Sequence, residues 1–177
     1  MRKVTLFIAM SLDGYIADQQ GGVDWLQGES SNKDDMISYY EFIKNIDSVI
    51  MGWTTYHQLI SEISPNEWMY ADLNSYIITS KQKESHDNIK FVSKSPVKLV
   101  DDLLQEEGKG IWICGGANIA QQLMNADKID QYYISVIPIL LGKGIRLFEN
   151  IDINQKLTLK ATKNYNGIVD LIYERRT

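Results

Sequence analysis

The run Val4-Thr5-Leu6-Phe7-Ile8-Ala9-Met10 is apolar at nearly every position. A strand with one face in water would alternate polar and apolar residues, so this one is expected to be covered on both faces. That demand admits few architectures, chiefly a sheet with packed layers on either side. Further strand-like runs lie at Ser48–Met51, Tyr76–Thr79, Ile89–Val92, Ile111–Cys114 and Ile129–Pro138. Helical patterns alternate with them. From about Asn32 to Ile46, the residues Met36, Ile37, Tyr40, Phe42 and Ile43 approximate one apolar face. Asn32 or Ser31 would cap that helix, and Asp34 and Asp35 would complement its positive first turn. Helices are also expected to start over Thr54–Ile60, to run from Pro96 through Leu104 to a stop near Gly108, and to span Ala117–Ala126. Such alternation implies an α/β fold whose sheet is mostly parallel, flanked by helices on both faces. The tail differs: Lys156–Lys163 and Ile168–Glu174 flank Asn166-Gly167, the mark of an antiparallel hairpin that makes the sheet mixed. One domain is expected over residues 1–177.

Composition narrows the function. A formal net charge of −5, with four arginines (Arg2, Arg146, Arg175 and Arg176) against fourteen lysines, argues against a nucleic-acid or anionic-membrane partner. The lone cysteine, Cys114, excludes an internal disulfide framework and a cysteine-rich zinc site, and His57 and His86 are not spaced as a ligand pair. No apolar run approaches the roughly 20 residues that span a bilayer, and the N-terminus opens into a strand pattern without a leader-like segment. A cytoplasmic protein acting on a small molecule, with no metal, is the expectation.

Two strand–glycine–helix junctions carry the chemistry, Met51-Gly52-Trp53-Thr54-Thr55 and Cys114-Gly115-Gly116-Ala117-Asn118. Open α/β sheets bind ligands beyond the carboxyl ends of their strands, and a helix start offers N–H groups to an anion. Two such junctions could hold the two ends of one dinucleotide; the plainer alternative is that each glycine only ends a strand. The first strand runs into Ser11-Leu12-Asp13-Gly14, which has neither the Gly-x-Gly-x-x-Gly spacing of a Rossmann site nor a Walker-type loop. Any dinucleotide is held in another way.

These junctions join other segments to resemble a known family. Ile8–Ala17, Val49-Ile50-Met51-Gly52 with Thr55-Tyr56, Ile113–Ala117, and the run from Ile137 to Phe148 occur in the order seen in the dihydrofolate-reductase-like superfamily. The last run resembles in particular the branch of the riboflavin-biosynthesis reductase domain. The resemblance implies the dihydrofolate-reductase-like three-layer fold and an NADPH-dependent reductase that passes a hydride to a small heterocycle. The acceptor would be a riboflavin-pathway aminopyrimidine of the 5-amino-6-(5-phosphoribosylamino)uracil type, or a pterin or dihydrofolate. It also implies site residues. Ala9 and Ile16 would line the nicotinamide, Thr54 and Thr55 after Gly52 would meet phosphates, and the face of Trp53 would pack on the adenine or ribose. Thr79, Ser80 and Lys81 would flank the adenosine end. Cys114, Gly115, Gly116, Ala117, Asn118 and Ile119 would wrap the pyrophosphate. Ser135 would line the substrate side, and Asp35 falls closest to the acidic residue that contacts the substrate ring; its alternative role is to complement the helix dipole. Trp25 would cover the nicotinamide or substrate. Related domains often dimerise, so a homodimer through the Ile129–Pro138 strand and the loop of the 140s is expected.

Two departures bear on function. Trp53 stands where relatives commonly carry an arginine for the 2′-phosphate of NADPH, leaving Lys81 to supply the charge as a point rather than a fork, with NADH as the alternative cofactor. No arginine lies between Arg2 and Arg146, which disfavours folate; Ile60–Asn74 offers Glu62, Glu67, Trp68, Tyr70 and Asp72 instead. Lys143 and Arg146 remain as candidates for a substrate phosphate. A competing reading is a dinucleotide-binding sensor that kept the fold and lost the chemistry.

Overall fold

The computed structural model describes residues 2–31 and 33–176, with the backbone alone at 33 and 34. Asn32, expected as a cap, and the side chain of Asp34 lie outside the described residues. The chain runs β1 (Val4–Ser11), β2 (Tyr15–Ala17), a 3₁₀ turn (Lys33–Met36), α1 (Ile37–Ile43), β3 (Ile46–Gly52) and α2 (Trp53–Gln58). A π-helical turn (Leu59–Ile63), β4 (Asn74–Ile78), β5 (Ile89–Val92), α3 (Pro96–Leu103), β6 (Gly110–Gly115) and α4 (Ala117–Asn125) follow. The chain closes with β7 (Gln131–Ile137), β8 (Ile145–Arg146), β9 (Leu157–Tyr165) and β10 (Ile168–Arg175).

Eight of these strands form one sheet in the order β5-β4-β3-β6-β1-β7-β10-β9. The first six in that order run parallel, and β10 and β9 are antiparallel additions. The mixed, mostly parallel α/β sheet with a closing hairpin is therefore as expected. Chain order runs outward from β3 to β5, then returns to insert β6 between β3 and β1. That reversal makes a switch point between β3 and β6.

The non-alternating strands are explained by two cores. Val4 and Leu6 of β1, Ile50 of β3 and Ile111 and Ile113 of β6 pack with Leu99, Val100 and Leu103 of α3 and Ala120 and Leu123 of α4. The intervening residues, Phe7, Val49, Met51 and Trp112, face the opposite way, toward Tyr39 and Phe42 of α1 and Tyr56 of α2. Successive side chains thus enter different apolar layers. Each fully buried aliphatic side chain contributes roughly 1.5–3 kcal/mol.

Several boundaries differ from expectation. The helix drawn to Ile46 ends at Ile43, because Ile46 already belongs to β3 and is buried with it. Asp47 pins that strand start, pairing with the buried Arg2 and accepting from the Lys109 N–H at 2.6 Å. The helix expected to begin over Thr54–Ile60 runs as α2 and continues through the π-turn to Ile63. β7 is shorter than Ile129–Pro138 and lies hydrogen-bonded between β1 and β10. Both of its edges are thus occupied within the sheet. The hairpin turn is as read, with Asn166 at φ 46° and Gly167 at φ 77°, the left-handed values a two-residue turn requires. β10 then runs back to the start of β1, where Glu174 pairs with Lys3 and Arg175 with Asp130. Among the described residues, no helix is long and apolar enough to cross a membrane, and no group of three His, Cys, Asp or Glu could hold a metal ion.

Candidate functional site

The carboxyl ends of β5, β4, β3, β6 and β1 open onto one crevice of about 1000 Å³. Ser93 and Lys94 after β5, Thr79 and Ser80 after β4, Gly52 and Trp53 after β3, Cys114 and Gly116 at β6, and Ile8 and Ala9 of β1 line it in turn. This volume lies at the upper end of the roughly 300–1,000 Å³ of small-molecule sites. The centre of the crevice is the switch point. There the two glycine junctions adjoin, with Met51 of β3 in register with Gly115 of β6. A Cβ on Gly116 would stand 3.6 Å from the Thr55 hydroxyl, and one on Gly52 would meet Ile119 at 3.6 Å.

The local backbone explains the glycines. Gly115 has φ +123°, a conformation that L side chains rarely adopt, and its peptide bond to Gly116 is cis. Gly52 and Gly116 enter α2 and α4 in extended conformation, and neither helix has a side chain capping its first-turn N–H groups. The contrast is α3, where the Ser95 hydroxyl accepts from the Lys98 N–H at 3.3 Å. The first-turn donors of α4 are therefore available to an anion in the crevice.

The remaining wall comes from distant segments. Ile16 and Ala17 of β2 and Ile145 of β8 close the β1 end; β2 pairs with β8, so this wall is a small sheet of its own. The Asp13 carboxylate holds that arrangement. It accepts from the Ser11 hydroxyl at 2.6 Å and from the Leu141 and Gly142 N–H groups at 3.1 and 2.7 Å. These bonds, the Ser11 one foremost, lower its pKa to about 2. Along α2 and the π-turn, Gln58, Leu59 and Ile63 continue the crevice, joined by Met69 and Tyr70 and by Val23 and Leu26 of the loop after β2. Cys114 is half-buried on the wall, and burial pushes its thiol up to about 12, so it stays protonated and is no nucleophile.

Most expected site residues come together here: Ala9, Ile16, Gly52, Trp53, Thr54, Thr55, Thr79, Ser80, Cys114, Gly116, Ala117, Asn118 and Ile119 all line the crevice. Gly115, between Cys114 and Gly116 in the chain, is not among the lining residues. The Lys81 ammonium stands 4.2 Å from the centre of the Trp53 ring, with that of Lys83 at 5.3 Å. Three other expected residues, Asp35, Trp25 and Ser135, are not among those lining the crevice. The Asp35 carboxylate accepts from Asn166 Nδ2 at 2.7 Å and from the Gly28 N–H at 3.2 Å, tying the loop to the hairpin turn. Trp25 donates from Nε1 to the Gly22 carbonyl at 3.1 Å, and its neighbours Val23 and Leu26 line the crevice instead. Ser135 is buried and donates to Asp170 at 2.6 Å. Asp170 is itself fully buried and also accepts from the hydroxyls of Tyr133 and Tyr165.

Residues of the crevice that sequence reasoning missed include Ser93, Lys94, Ser95 and Pro96. Pro96 was legible as a helix start, but only the parallel pairing of β5 with β4 carries it and its neighbours to the crevice.

Sheet order, crevice and glycine junctions together define a protein of the dihydrofolate-reductase-like class. Within that class the chain belongs to the RibD C-terminal domain family, whose sequence pattern matches residues 2–172. It is 37% identical over 180 residues to the uncharacterized protein YwjB of Bacillus subtilis strain 168, covering 98% of each chain. Among solved structures, a Shewanella sp. PV-4 protein named for riboflavin biosynthesis superposes with a TM-score of 0.87 at 26% identity, over 100% of both chains. A Thermotoga maritima diaminohydroxyphosphoribosylaminopyrimidine deaminase/5-amino-6-(5-phosphoribosylamino)uracil reductase superposes with a TM-score of 0.72 at 13% identity, over 99% of this chain and 57% of that one. At that identity the likeness concerns the fold.

Proposed function

We propose that the chain is a dinucleotide-dependent reductase that uses NADPH, with NADH as the alternative, and delivers a hydride to a small ring compound. One observation carries this reading: a single crevice crosses five parallel strand ends at the switch point and meets two adjoining, uncapped helix starts. That arrangement suits a long ligand with a negative charge at its middle. When bound, the nicotinamide supplies the hydride.

The chain's own residues do the rest. The first-turn N–H groups of α4, at Ala117, Asn118 and Ile119, offset the pyrophosphate charge, helped by the hydroxyls of Thr54 and Thr55. Thr79, Ser80 and Ser93 flank the adenosine end. Ala9, Ile16 and Ile145 exclude water from the ring that reacts and hold it in the attacking orientation. Among the described residues no carboxylic acid lines the crevice, so the accompanying proton comes from solvent.

That lack of an acid is also what favours a second reading, in which the protein binds the dinucleotide without turnover. Titration of NADPH and NADH against the tryptophan fluorescence, with Trp53 on the crevice wall, tests the shared part. Quenching that saturates is the expected result, and a flat titration with both cofactors would sink either reading. Oxidation of NADPH by an added acceptor then separates the enzyme from the sensor.

A further inference from the structure

Resting on the reductase reading above, we infer that the molecule sharing the crevice with the dinucleotide is a neutral, largely apolar ring compound without phosphate or carboxylate. The crevice changes character along its length. Its β5 end carries hydroxyls and Lys94, whereas the wall beneath the loop after β2 and along the π-turn is made by Val23, Leu26, Leu59, Ile63, Met69 and Tyr70. The amide of Gln58 in that region is already engaged, donating to the Gly21 carbonyl at 2.9 Å. Leu26, Ile63 and Met69 leave 41%, 47% and 43% of their surfaces exposed. Contiguous apolar side chains open to water along a crevice form the kind of wall that an apolar ligand covers.

Charge points the same way. Among the described residues, Lys94 is the one charged side chain lining the crevice; it sits at the opposite end and pairs with Asp102 at 2.7 Å. The cations that the sequence offered for a substrate phosphate lie elsewhere. Lys143 and Arg146 line a separate depression of about 380 Å³ with Tyr15. The Arg146 guanidinium lies 4.7 Å over the Tyr15 ring and donates to its hydroxyl at 2.9 Å. A phosphate laid against the apolar wall would lose its water and gain no partner. The phosphoribosyl substrate in the name of the Thermotoga protein therefore has no counterpart in this site.

The reduction balances without a further reactant. The carbon of the acceptor's C=O or C=N bond gains a hydride from the dihydronicotinamide, which is oxidised, and the oxygen or nitrogen gains a proton from water.

The test begins with NADP⁺ alone, titrated against tryptophan fluorescence. Next, 1-naphthol and 1-naphthyl phosphate, matched in ring and differing in charge, are titrated by calorimetry into the NADP⁺-loaded protein. The naphthol should bind at least about tenfold more tightly. Ile63→Lys, at a half-exposed position that a lysine fits, should narrow the gap by about threefold. Equal or tighter binding of the phosphate by the unmodified chain, or binding of neither compound, overturns the substrate class and leaves the reductase reading standing. No response to NADP⁺ overturns that reading, and the substrate class with it.

Discussion

Trp53 brings a neutral ring to a place where the resemblance led one to expect an arginine. The ring is not idle, because the ammonium groups of Lys81 and Lys83 stand 4.2 and 5.3 Å from its centre. Cation–π attraction at an exposed site is worth about 0.5–1 kcal/mol, enough to bias two flexible lysines toward the end of β4. Trp53 thus gathers positive charge that it does not carry. Lys81→Ala should weaken NADPH about three- to tenfold while changing NADH by less than about twofold, as a lost charge-assisted contact would. In the same titrations Trp53→Arg should tighten NADPH more than NADH. Equal changes for both cofactors would show that this cluster does not face the 2′-phosphate. At this scale the sequence was informative wherever a residue sits directly at a strand end. Asp35 and Trp25 were also expected at the site, and neither lines the crevice. Asp35 is bound by Asn166, 131 residues further on, and local pattern carries no trace of such a bond.

Among the elements, the turn after β1 and the loop before β8 act as one piece, because the Asp13 carboxylate spans both. Its pKa is depressed from 3.8 to about 2, so the linked stability is fully present above 3.8 and disappears as pH falls toward 2. Asp13→Asn should therefore melt at a lower temperature than the unmodified chain at neutral pH. The difference should shrink as pH is lowered from 3.8 toward about 2. A difference that stays constant across that window would mean the carboxylate's charge is not what holds the loop. Both partners of this latch were visible as motifs, yet their contact was not. β8 is only two residues long, too short for any periodicity, and β2 finds it across most of the chain. The β9–β10 hairpin was legible because its cause is local: Asn-Gly supplies the two left-handed residues that such a turn needs. The parallel strands were legible as buried runs, since each alternates between two apolar layers rather than between apolar and wet faces.

For the molecule as a whole, the crevice draws on strand ends from both cores, so a ligand that fills it stabilises the entire fold. NADPH at one hundred times its dissociation constant should add about 2.7 kcal/mol. For a chain of this size that corresponds to a rise in melting temperature of about 5–10 °C. A thermal scan unmoved by NADPH and by NADH would contradict the proposed site. What the sequence could not convey at this scale was strand order. The insertion of β6 between β3 and β1 brings the two glycine junctions together, and it depends on long-range packing rather than on either junction. The same topology governs the two ends of the described chain. β10 runs against β1, and the pairing of Glu174 with Lys3 sets both ends at the amino edge of the parallel strands, with the sheet between them and the crevice. A tag or a second domain joined at either end would emerge on the far side from the ligand. The fold is thus a module that accepts covalent neighbours without obstructing its own entrance.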